Sequence, residues 1–133
     1  MITEDYVSFE TAKLLKEKGF NTQCWMYYSP DTFGPKMFHT QRKGNSQLIP
    51  EWEECVCPTL QMAMKWLREV HNLHIEVYRT ACGYLYIISK VPTGSDLYDN
   101  GDAYDGDDEN SGQWTTYEKA CEAAIKYCLE NLI

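Results

Sequence analysis

The sequence predicts an α+β protein: one domain over 1–133, with three helices packed on one face of a mostly antiparallel sheet of four to five strands, in the order α-β-β-(β)-α-β-β-α. Three observations carry that expectation. Leu60, Ala63, Trp66, Leu67 and Val70 recur at helical spacing, with Lys65, Arg68 and Glu69 on the other side. After His71-Asn72 the period changes to two, as Leu73, Ile75 and Val77 alternate with His74, Glu76 and Tyr78. A second run, Tyr84-Leu85-Tyr86-Ile87-Ile88, follows the tight turn Thr80-Ala81-Cys82-Gly83, so the two strands are expected as hairpin neighbours.

The elements follow from local chemistry. Ser8 caps a helix over 9–18 whose apolar side holds Phe9, Ala12 and Leu15; Gly19 sits where a left-handed residue ends a helix, with Phe20 placed against Leu15. Residues 24–28 and 36–40 read as strands around the turn Ser29-Pro30-Asp31, and 47–49 as a short third strand. The last helix opens at Thr115 with Glu118 as its capping-box partner, and its stripe is Tyr117, Cys121, Ala124, Cys128 and Leu132, widened by Ile125 and Leu129. The expected core sets Leu15, Trp66, Leu67, Val70, Ala124 and Cys128 against Ile75, Val77, Leu85 and Ile87.

Charge is unevenly placed. Residues 95–113, read as an acidic loop, hold Asp96, Asp99, Asp102, Asp105, Asp107, Asp108 and Glu109 with no Lys or Arg, and so carry −7 of the net −8. A nearly balanced remainder lacks the clustered cations that direct nucleic-acid or anionic-membrane binding require. Basic protein surfaces and cations stay open as partners. The start Met1–Asp5 has no cationic n-region and no apolar h-region follows it; no run approaches the ~18 apolar residues of a membrane helix. A cytoplasmic protein is expected, with its six cysteines as thiols.

Tyr6–Phe20, Pro58–Gln61, Lys65–Ile75 and Tyr117–Ile125 resemble a family of small uncharacterised cytoplasmic proteins of gut Bacteroidetes and of their phages or mobile elements. The resemblance covers the three helices and the first strand after the second helix. It implies a bacterial or phage origin and an accessory role, and it brings no activity, cofactor or site residue with it.

Several constellations suggest chemistry. Cys55 and Cys57 with His71 and His74 are the ligand types of a tetrahedral zinc site, but one residue between the cysteines and two between the histidines are fewer than such sites use. Asp107, Glu109, Ser111 and Glu118 fall at calcium-loop positions one, three, five and twelve, without the incoming helix of an EF-hand. Cys57, beside Pro58 at a helix start, has the position of an activated thiol with no identifiable base. Tyr98-Asp99-Asn100-Gly101-Asp102 is echoed by Tyr104-Asp105-Gly106-Asp107-Asp108, and Asn100-Gly101 is a strong turn signal, so Leu97-Tyr98 and Ala103-Tyr104 are expected to flank a small projecting hairpin. Tyr98, Asp99, Asp102, Tyr104, Asp105 and Asp107 are then the groups offered to Arg or Lys of a partner. A second candidate surface is the helix-free sheet face, expected to carry His74, Glu76, Tyr78, Tyr84 and Tyr86.

No Walker, Rossmann, metalloprotease or hydrolase motif occurs in the sequence. The reading that follows is a noncatalytic interaction module without cofactor or metal, its partner a protein with a basic surface. A small thiol- or metal-dependent enzyme, a calcium-binding domain and an acidic mimic of nucleic acid are the alternatives.

Overall fold

The structure, a computed structural model, describes residues 2–29, 36–38, 44–45, 54–81, 83–101 and 113–133. It is α+β: among the described residues there are three helices and six strands, the strands forming two antiparallel three-stranded sheets. The expectation of one sheet is corrected to two. Contacts divide the chain into two compact units, residues 1–62 and 63–133, with the boundary after the first turn of the second helix.

In residues 1–62, α1 spans Phe9–Glu17 and is capped by Ser8, whose hydroxyl accepts from the Thr11 amide at 3.2 Å. Its end is the expected Schellman turn. Gly19 has φ +93°, Gly19 N–H donates to Lys16 O at 3.2 Å and Phe20 N–H to Leu15 O at 2.9 Å, and both Leu15 and Phe20 are buried. The sheet has the order β2-β1-β3, from β1 (Tyr27–Ser29), β2 (Lys36–Phe38) and β3 (Cys55–Val56). The strand expected at 24–28 is therefore shorter and shifted to Tyr27–Ser29, and of the one expected at 36–40 residues 36–38 are strand while 39–40 lie outside the described residues. The third strand falls at Cys55–Val56, while the piece expected at 47–49 lies outside the described residues.

Short strands have few ladder bonds, and side chains supply the ties. Tyr28 Oη donates to Val7 O at 2.9 Å and Lys16 Nζ to Glu54 O at 2.7 Å. Asn45 bridges two segments, donating to Phe20 O and accepting from the Val56 amide.

The second helix, α2 (Leu60–His71), starts at Thr59, whose hydroxyl accepts from the Met62 amide at 3.1 Å. Its buried stripe is Leu60, Ala63, Met64 and Leu67. Val70, expected in the core, is 57% exposed, and Trp66 is half-buried edge-on to His71 at 4.6 Å. The apolar residues of α2 extend beyond one face, and the stripe actually used is rotated toward Met64.

Asn72, at φ +58°, turns the chain directly into β4 (Leu73–Thr80). A left-handed residue of this kind suits Asn, whose short polar side chain tolerates it. β4 pairs antiparallel with β5 (Gly83–Lys90), and β5 pairs with β6 (Asp96–Asp99). The two-residue turn sets the register: Thr80 opposes Gly83, so Ile75 opposes Ile88 and Val77 opposes Tyr86. Tyr86 and Ile88 are the buried residues of β5, whereas Leu85 and Ile87, expected in the core, lie on the other face and are half-buried; Val77 is half-buried too.

The third helix, α3 (Tyr117–Tyr127), continues into a π turn at Cys128–Leu132. Its N-cap is Thr116, which accepts from the Lys119 amide at 3.1 Å; the Thr115–Glu118 capping box is not formed. Ala120, Cys121, Ala124, Ile125, Cys128 and Leu129 are buried, and α3 packs on β4 and β5. Tyr127 stacks on Tyr98 of β6 at 3.9 Å, and Tyr117 meets Tyr84 at 6.1 Å, so α3 covers the face that carries Ile75, Tyr84, Tyr86, Ile88 and Tyr98. No helix among the described residues is long and apolar enough to cross a membrane.

Candidate functional site

Opposite α3, the β4–β5–β6 sheet presents a second face. Cross-strand pairing puts His74 with Ser89, Glu76 with Ile87 and Tyr78 with Leu85 on it, with Asp99 of β6 beside Ile87. All are half-buried except Glu76, which is exposed. This is the surface sought among His74, Glu76, Tyr78, Tyr84 and Tyr86, with one correction: Tyr84 and Tyr86 belong to the helix-covered face, because the odd residues of β4 oppose the even residues of β5.

The acidic segment joins this sheet at both ends. Asp96 and Asp99 are strand residues rather than loop, and Leu97-Tyr98, expected in a projecting hairpin, belong to β6. Asn100 then donates its N–H to Tyr86 O at 3.0 Å. After residues 102–112, Trp114 returns to the same strand, donating to Tyr84 O at 2.9 Å and accepting from Tyr84 N–H at 2.8 Å. Thr80 Oγ1 donates to Gln113 Oε1 at 2.8 Å. Gly83 makes the return possible, since a Cβ there would lie 2.7 Å from Trp114 O. Tyr84 and Tyr86 are two positions apart on one strand, so the attachment points are separated by about 7 Å.

At the departure point Gly101 N–H donates to Asp99 Oδ1 at 2.9 Å. A Cβ on Gly101 would meet Leu85 Cδ1 and Tyr78 Oη at 3.1 Å each. Gly101 therefore lies against Tyr78 and Leu85. Nothing local in the sequence announces the Trp114 bridge or the Thr80–Gln113 bond; both depend on pairing across the intervening segment.

The remaining candidates are placed as follows. Tyr98 is a packed ring, stacked on Tyr127 and 5.9 Å from Tyr86. Asp102, Tyr104, Asp105, Asp107, Glu109 and Ser111 lie outside the described residues, and Glu118 is exposed in the first turn of α3. Cys55 and Cys57 are fully buried in the first unit, whereas His71 and His74 belong to the second. Among the described residues no group of three His, Cys, Asp or Glu side chains is placed to hold a metal ion.

The described thiols are unbridged and buried. Cys57 Sγ donates to Val7 O at 3.4 Å rather than facing an open cleft. Burial pushes the Cys24, Cys55 and Cys121 thiols up to about 11; Lys16 and Lys13 offset part of that for Cys55. Burial pushes Cys128 up to about 12. A nucleophilic thiol needs the opposite shift.

Comparison of the chain with family models, with curated proteins and with solved structures finds no match. The class that fold and site define is an α+β protein with a partly exposed sheet face.

Proposed function

We propose that the protein is a noncatalytic interaction module of phage or mobile-element type, acting in the cytoplasm on a protein partner that presents a basic surface. One observation carries the reading: the segment holding most of the net charge is hydrogen-bonded at both ends to β5, beside the half-buried Tyr78–Leu85–Ile87 face. A binding loop set on a rigid strand loses less entropy on association than a free tail, and an aromatic–aliphatic patch next to acid groups combines anchoring with steering.

The test uses a partner captured from a native host and identified by mass spectrometry. Changing Asp102, Asp105, Asp107 and Asp108 to Asn should slow association and flatten its salt dependence, because exposed charges act over about 8 Å at physiological ionic strength. Asp99 stays unchanged, since its carboxylate holds Gly101. Tyr78→Ala should speed dissociation instead. A variant that associates at the wild-type rate with the wild-type salt dependence removes the acidic segment from the interface.

A further inference from the structure

Asn100-Gly101 is the only Asn-Gly pair in the chain. In a flexible peptide this dipeptide deamidates readily, because a glycine offers no side chain to hinder its own backbone nitrogen. That nitrogen attacks Asn100 Cγ, forming an N–Cγ bond and expelling Nδ2 as ammonia with the amide proton. Water then opens the cyclic imide at either carbonyl, leaving Asp or isoaspartate.

Here the pair is held in a way that opposes each step. The nucleophile is the deprotonated glycine nitrogen, and Gly101 N–H donates to Asp99 Oδ1 at 2.9 Å. A carboxylate acceptor favours the protonated amide and disfavours a second negative charge beside it. Asn100 is fully buried, which keeps out the water that opens the imide, and its own N–H is engaged by Tyr86 O. The space is no looser at Gly101, where a Cβ would already sit 3.1 Å from Leu85 Cδ1 and Tyr78 Oη. A larger residue at 101 would be slower to deamidate but would crowd the sheet, which accounts for a labile pair at this position.

We infer that Asn100 is a latent deamidation site, locked in the folded protein by the Asp99 carboxylate and burial, and released when the end of β6 opens. Its product is incompatible with its surroundings. Asp at 100 places a carboxylate in a fully buried position, and isoaspartate adds a backbone methylene where the chain must keep its bond to Tyr86. Modification would thus convert a transient opening into a permanent one.

The experiment follows Asn100 by peptide mass spectrometry during incubation at mildly alkaline pH. Reaction through an open form predicts a rate in native buffer about tenfold or more below that in urea. Asp99→Ala should raise the native-buffer rate several-fold while the circular dichroism spectrum is retained. If Asp99→Ala does not fold, Asp99→Ser, which keeps an oxygen acceptor without the charge, is read in the same way. Equal rates for wild type in native buffer and urea overturn the lock; a folded Asp99 variant reacting at the wild-type rate overturns the assignment to Asp99. Asn100→Asp should lower the denaturation midpoint, and an unchanged midpoint would overturn the claim that the product is not tolerated.

Discussion

Among the described residues of 1–62 the strands are two or three residues long and the sheet is tied by Tyr28, Lys16 and Asn45 reaching backbone carbonyls and amides. In residues 63–133, β4 and β5 run eight residues each in unbroken register, and a helix covers one face through a stack of tyrosines. The first arrangement concentrates stability in a few specific bonds. The second spreads it over a ladder and a packed layer, so that single polar changes matter less and large buried side chains matter more.

The sharpest way to break this contrast is Tyr86→Ala. Tyr86 is the largest fully buried side chain among the described residues, central on β5 and packed near Tyr98, so its truncation should cost about 3–5 kcal/mol in denaturant unfolding. Next comes the rotated stripe of α2: Leu67→Ala should cost about 2–5 kcal/mol, while Val70→Ala should stay within about 0.5 kcal/mol. Equal costs at the two positions would restore Val70 to the buried stripe. In the first unit, Tyr28→Phe removes only a hydroxyl, yet it leaves Val7 O with one donor fewer and should cost about 1–2 kcal/mol. A neutral result would mean that the side-chain ties of that unit contribute little.

One effect is common to both units and is confined to alkaline pH. Cys24, Cys55 and Cys121 are raised from the ordinary 9.0 to about 11, and Cys128 to about 12, by burial. The unfolded chain therefore loses these protons first, and stability should be full below about pH 9 and fall progressively up to about pH 11–12. Unfolding followed across that window checks it. Cys24→Ala with Cys55→Ala, or Cys121→Ala with Cys128→Ala, should each flatten part of the decline.

The end of α1, the hairpin and the buried side of α3 were legible because each is decided by neighbours in sequence: Gly19 with Phe20, the turn at 80–83, the stripe from Cys121 to Leu129. The core face of β5 is misread as Leu85 and Ile87 instead of Tyr86 and Ile88, since Tyr84 to Ile88 is apolar at both parities. The turn length decides it: a two-residue connection forces Ile75 opposite Ile88. The N-cap of α3 shifted by one because Thr115 and Thr116 both qualify and the hydrogen bond to Lys119 selects the second. Two sheets instead of one, and the return at Trp114, rest on pairings distant in sequence that no local pattern records. For the site, the acidity of the segment was plain from composition, whereas its attachment at both ends to β5 was not.

That double attachment leads us to expect that the second unit keeps its assembly after a cut within 102–112. A single cut there leaves two fragments, the later one docked by Ala120, Cys121, Ala124, Ile125, Cys128 and Leu129, by the Tyr98–Tyr127 stack and by the Trp114 bridge. Severed halves should co-elute as one particle and reassociate after dilution from denaturant, the helical fragment behaving as a ligand and the sheet as its receptor.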